Sequence, residues 1–111
     1  MLLTHHPQQG LEIINIAGRF VMADAPEARE KIKSLIEGGA ERLLVDLSGV
    51  TFIDTSGLSV LISAYKLISA KNGRMVLCGI PGNVRTLLEL TRLNEIFESY
   101  ASVDAALAAL G

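Results

Sequence analysis

The spacing of hydrophobic positions changes several times along the chain, and each change marks an element. Residues 1–5 form a short apolar stretch that predicts an edge strand, and Pro7-Gln8-Gln9-Gly10 is a turn signal. Residues 11–21 are rich in Ile and Val and predict a strand paired back on the first, with Gly18 marking a bulge or bend. Helical spacing then takes over. Ala28, Ile32, Leu35 and Ile36 fall on one face, while Glu27, Arg29, Glu30, Lys31 and Lys33 lie largely off it. Asp24 reads as the N-cap of this helix, with Glu27 three residues on and Pro26 in the first turn. Gly38-Gly39 stops it.

The centre of the chain is residues 44–61. Residues 42–47 are apolar apart from Arg42 and Asp46, the pattern of a strand covered on both faces. A short turn at Ser48-Gly49 leads to a second apolar rise, Thr51-Phe52-Ile53, and then to the polar knot Asp54-Thr55-Ser56-Gly57. Beyond the knot, Leu58, Leu61, Ile62, Tyr65 and Ile68 form a helical stripe that stops at Asn72-Gly73, with Ser56 or Thr55 as its cap. Residues 74–79 read as a buried strand, and 79–83 as a loop. Val84, Leu87, Leu88 and Thr91 mark one side of a helix whose pattern breaks at Leu93-Asn94-Glu95. Residues 96–100 predict a last strand. Ser102 then caps a helix that turns Val103, Ala106, Leu107 and Leu110 inward. The order is β-β-α-β-α-β-α-β-α. A hairpin followed by right-handed βαβ crossovers gives an α/β domain with a mixed sheet of about five strands and four helices.

Length and composition narrow the function classes. The chain of 111 residues suits one domain over 1–111, with enough surface buried to sustain a core. Half of the residues are hydrophobic, 20% are charged and the net charge is −2, so global disorder is disfavoured. No block of Lys or Arg stands out, and three Phe, two Tyr and no Trp supply few stacking platforms, so nucleic acid is not the expected partner. No apolar run is long enough to span a bilayer, and the N-terminus lacks the pattern of a signal peptide. The expectation is a soluble cytoplasmic protein without membrane insertion. Cys78, the only cysteine, lies in the apolar run Met75-Val76-Leu77-Cys78 and reads as a small buried hydrophobe.

Candidate chemistry concentrates at the knot. A nucleophilic Ser56 needs a base, and the only histidines are His5 and His6 near the N-terminus; the flanks also depart from G-x-S-x-G. Two adjacent histidines without further ligands at suitable spacing do not make a metal site, and Gly79-x-x-Gly82 is too short for a phosphate loop. No cofactor is expected. Two readings remain for Ser56 and Thr55: helix caps only, or a modification site at a helix N-terminus, where amides and the macrodipole favour an oxyanion.

The stretch Leu44-Val45-Asp46-Leu47-Ser48-Gly49-Val50-Thr51-Phe52-Ile53-Asp54-Thr55-Ser56-Gly57-Leu58 resembles the signature of STAS domains, the anti-sigma factor antagonists. Gly18-Arg19-Phe20 with Ala25-Pro26-Glu27, residues 72–79, and Thr91-Arg92-Leu93-Asn94-Glu95-Ile96-Phe97 are similar to further parts of that family. The resemblance implies a curved mixed sheet with helices mainly on one side. It implies a partner-switching role rather than an enzyme. The unphosphorylated antagonist binds an anti-sigma factor with serine kinase activity and frees a sigma factor; phosphorylation by that kinase inactivates it, and a PP2C-type phosphatase restores it. The phosphoacceptor maps onto Ser56, with Thr55 as second choice. The implied partner-binding residues are Asp54, Thr55, Ser56, Gly57, Leu58, Ser59 and Asp24. The family often has Asp in the first junction where this chain has Val21, and the nearest carboxylate here is Asp24. That difference leaves a second reading, a STAS subunit of a transport or signalling complex that docks without phosphorylation.

Overall fold

A computed structural model describes all residues 1–111. Five strands form one sheet: β1 (Leu2–Gln8), β2 (Leu11–Phe20), β3 (Arg42–Ile53), β4 (Arg74–Cys78) and β5 (Glu98–Tyr100). Their spatial order is their order in the chain. β1 and β2 pair antiparallel, and every later pair is parallel. The helices are α1 (Ala25–Glu37), α2 (Thr55–Ala70), α3 (Gly82–Leu90) and α4 (Val103–Leu110).

Alternation along the strands divides the core in two. Leu43, Val45, Leu47, Met75 and Leu77 point to one face, where they meet Ile32 and Ile36 of α1, Leu58, Leu61 and Ile68 of α2, and Val84 and Leu88 of α3. Leu44, Val76 and Cys78 point to the other, where Ala106 and Leu110 of α4 cover them. Three helices therefore lie on one side and one on the other, and the expected mixed α/β sheet with helices mainly on one side is present. Each fully buried Leu or Ile contributes about 1.5–3 kcal/mol relative to exposure, so the larger layer supplies most of the driving force.

Several local expectations are corrected. β1 runs through Pro7, which an edge strand tolerates, and the hairpin loop is only Gln9-Gly10, with φ of 46° and 86°. Positive φ at both loop positions matches the type I′ turn that a two-residue hairpin favours. The junction at Ser48-Gly49 is no turn, because β3 is one strand of 12 residues. Ile16 alone stands opposite Leu47 and Ser48, since Asn15 pairs with Asp46 and Ala17 with Gly49. The pair is a β-bulge. The Ser48 amide that it frees donates to Asp46 Oδ1 at 3.0 Å. A Cβ on Gly49 would lie 2.9 Å from that of Ala17, so only glycine lets the strands close there. The last strand is shorter than expected, at Glu98–Tyr100, and Phe97 before it is buried edge-on against Tyr65 of α2.

The expectations for Gly18, Ser102 and Cys78 hold. Gly18, with φ of 82°, sits at a register shift in β2. Ser102 caps α4 by accepting from the Ala105 amide at 3.2 Å. Cys78 is buried, and burial, followed by the charge of Asp46, pushes its thiol up to about 11, so it stays protonated and unreactive at neutral pH. No helix is long and apolar enough to cross a membrane, and no group of His, Cys, Asp and Glu is placed to hold a metal ion.

Candidate functional site at the head of the second helix

The polar knot lies where β3 hands over to α2, but its cap is neither serine nor threonine. Asp54 is the N-cap, in extended backbone, and its Oδ1 accepts from the Gly57 amide at 2.9 Å. Thr55, Ser56 and Gly57 form the first turn. The expectation of Ser56 or Thr55 as cap is therefore corrected. An aspartate one residue earlier has the short acceptor and extended backbone that a cap needs.

The second oxygen of Asp54 reaches across to the end of β2. Oδ2 accepts from the Met22 amide at 3.0 Å. The Gly57 amide, followed by that of Met22, holds the Asp54 carboxyl below the usual carboxylate range, against an opposing effect of burial. The adjoining amide, that of Val21, donates to Asp24 Oδ2 at 3.3 Å. Asp24 thus closes a turn of 3-10 helix (Met22–Asp24); it stands at the N-cap position of α1 as expected, but its side chain accepts from Val21 and not from an amide of α1. Two successive amides of one junction are each met by a different carboxylate. Although Val21 carries no acid, Asp24 brings one to the same place; its Oδ1 lies 3.6 Å from the Met1 amino group.

Gly57 makes this convergence possible. A Cβ there would lie 2.5 Å from the Phe20 carbonyl oxygen and 2.7 Å from Ile53 Cγ1. The first turn of α2 consequently rests directly on the end of β2, and Gly57 and Leu58 are buried beneath the knot.

Ser56 is half-buried and Thr55 is exposed. Ser59, one turn on, donates to the Ser56 carbonyl at 2.6 Å and accepts from Arg29 Nη2 of α1 at 2.9 Å. Neither histidine can serve Ser56. His5 and His6 sit on β1, with β2 between them and β3, and His5 is paired with Glu12 at 3.0 Å. The structure therefore unites Asp54, Thr55, Ser56, Gly57, Leu58 and Ser59 in one turn and a half, with Asp24 joined through the Val21–Met22 peptide.

Sequence reading missed the apolar surround. Met22 is 70% exposed, Phe52 42% and Leu90 77%. Arg19 lies 4.8 Å over the Phe52 ring. A shallow cavity of about 450 Å³ opens beside Thr55, lined by Phe52, Ile53, Asp54, Asn83, Leu87 and Leu90 among others. Asn83 fixes its far wall to β3 by donating to the Thr51 carbonyl at 2.9 Å. These residues come from separate elements, so no local motif announces them. The available signal was Phe52 alone, an aromatic next to the knot.

The sequence profile of the STAS domain matches residues 5–106. The chain is 31% identical over 91 residues to the anti-sigma-B factor antagonist of Bacillus subtilis, covering 82% of this chain and 83% of that protein. It is 29% identical over 109 residues to the anti-sigma F factor antagonist of Paenibacillus polymyxa, covering 97% and 92%. The fold superposes with a TM-score of 0.80 on the Bacillus cell fate determinant SpoIIAA in its phosphorylated form, at 16% identity and covering 99% and 100% of the two chains. With the family profile matching residues 5–106 and relatives aligned over most of its length, the protein belongs to the STAS domain family.

Proposed function

We propose that the protein is an anti-sigma factor antagonist that works by partner switching. In its unphosphorylated state it docks the Thr55–Ser59 surface on an anti-sigma factor that is also a serine kinase, releasing a sigma factor. That kinase transfers a phosphoryl group from ATP to Ser56, and a PP2C-type phosphatase removes it. The protein is a substrate in this cycle, acting in the cytoplasm, and not itself an enzyme.

The observation that carries this reading is a serine turn without a base, ringed by exposed apolar side chains. Met22, Phe52 and Leu90 offer area for a partner to bury around Asp54 and Thr55, and Ser56 follows them in the first turn of α2. A phosphoryl group adds about −1.5 to −2 charge at neutral pH. Placed within an interface it must be desolvated or repelled, and a coupling of ~3 kcal/mol changes affinity roughly a hundred-fold. The two relatives named as antagonists support the same role.

Incubation with the cognate kinase-type anti-sigma factor and ATP, followed by peptide mass spectrometry, tests the assignment. The phosphate is expected on Ser56. Its appearance only on Thr55, the more exposed hydroxyl, or nowhere, overturns the switch. In a binding titration Ser56→Ala keeps the affinity while Ser56→Asp loses about a hundred-fold. Equal binding by the two variants removes the charge mechanism.

A further inference from the structure

We propose that Arg29 is the intramolecular counter-ion of a phosphoryl group on Ser56, and that phosphorylation draws its guanidinium away from Ser59. The inference rests on Ser56 being the modified residue and adds what receives the charge.

The head of α2 is poorly placed to receive it alone. Asp54 already takes the Gly57 amide and spans to the Met22 amide, so an incoming dianion meets a carboxylate at the position where a helix would otherwise welcome an anion. Asp24 adds a second negative group one peptide further. Compensation must come from a cation outside the cap.

Arg29 is the cation so placed. Its Nη2 donates to Ser59 Oγ, and Ser59 in turn donates to the carbonyl of Ser56. One hydroxyl therefore separates the guanidinium from the backbone of the residue to be modified. Ser56 and Ser59 are three apart in α2, a spacing that makes them neighbours on the helix surface, and Ser59 is in direct contact with Arg29. Arg29 has no carboxylate partner, because the ion pairs are Met1–Asp24, His5–Glu12 and Arg74–Glu98. A half-buried guanidinium held only by a neutral hydroxyl exchanges it for a phosphate at a net gain, since charge-assisted and bidentate contacts are about twice as strong as neutral ones. The other nearby cations are less well placed. Arg19 is stacked on Phe52, and Lys33 lies a full turn further along α1.

The test installs phosphoserine at position 56 during synthesis, through a reassigned codon, and follows its ³¹P resonance against pH. A free phosphoserine takes its second ionisation near pH 6. Pairing with Arg29 is expected to lower that midpoint by about half a pH unit or more relative to Arg29→Gln, with Arg29→Lys between the two. The Arg29 side-chain ¹H–¹⁵N resonance of the phosphorylated parent protein is expected to move with the same midpoint. Identical midpoints in parent and Arg29→Gln, or an Arg29 resonance that does not follow the phosphate, overturn the proposal. The second measurement needs no substitution, so it decides even where Arg29→Gln fails to fold. Because the phosphate is built in without a kinase, this result is separate from whether a kinase uses Ser56.

Discussion

The two ends of the parallel strands are finished with opposite charges. At the N-terminal end, arginines take carbonyls. Arg42 donates to the Leu110 carbonyl at 2.7 Å, and Arg74 to that of Ala109 at 3.3 Å while pairing with Glu98. At the C-terminal end, aspartates take amides, Asp54 those of Gly57 and Met22, and Asp24 that of Val21. Both are answers to the unpaired backbone groups that helix termini leave. The arginine end closes onto the last turn of α4 and leaves beside it a shallow cavity of about 510 Å³, lined by Gln8, Leu11, Arg42, Leu107 and Leu110 among others. The aspartate end stays open, with a serine turn and with Met22, Phe52 and Leu90 exposed around the cap. Equivalent stabilising chemistry thus produces an end latched to a helix and an end edged with exposed apolar side chains, and the difference lies in what surrounds the caps.

Each end also has a glycine that permits close approach. A Cβ on Gly73 would press on the Glu41 carbonyl and lie 2.6 Å from Ile68 Cγ1, much as one on Gly57 would meet Phe20 and Ile53. The largest expected effect is therefore from Gly57→Ala and Gly73→Ala. Overpacking costs about 1–3 kcal/mol or more, and the gain of ~1 kcal/mol in helix propensity at Gly57 offsets only part of it. Urea denaturation should show both variants destabilised by about 2 kcal/mol. Only Gly57→Ala should also weaken partner binding, because it lifts the serine turn off β2. Equal binding by the two would erase the functional contrast between the ends.

A smaller effect is expected at the open end from Asp54→Asn. The Asp54 carboxyl has a folded pKa below its unfolded value of about 3.9. Its stabilisation is fully present above that value and is lost as pH falls through the lower, folded one. Thermal melts of the parent protein should drop across that acid window, and those of Asp54→Asn should be lower at neutral pH and flatter there. Smallest is Arg42→Gln at the closed end, which removes a cap on α4 for about 1 kcal/mol and leaves partner binding unchanged. A binding change in that variant would show the two ends to be coupled.

Most of the fold was legible because period and punctuation agreed. Ile and Val alternation, Gly38-Gly39 and Asn72-Gly73 were each enough to bound an element. The errors fell where two devices share one signature. Ser48-Gly49 looks like a turn in one strand, and only the partner strand, with Ile16 alone opposite Leu47 and Ser48, reveals a bulge. Asp, Thr and Ser in succession all qualify as caps, and the choice of Asp54 depends on the Met22 amide across the sheet. For the site, the motif supplied residues 54–59. Arg29, Met22 and Leu90 join them through tertiary packing alone, which no local spacing encodes.

The sequential order of the strands has a consequence for how the molecule is made. Every strand pairs with one already upstream, so the sheet can extend by single additions as the chain leaves the ribosome, with each new helix folding onto an edge that exists. The larger core and the serine turn are complete once Phe97, just ahead of β5, is in place. The arginine latch at the opposite end waits for α4, so the receptive surface is shaped before that latch forms.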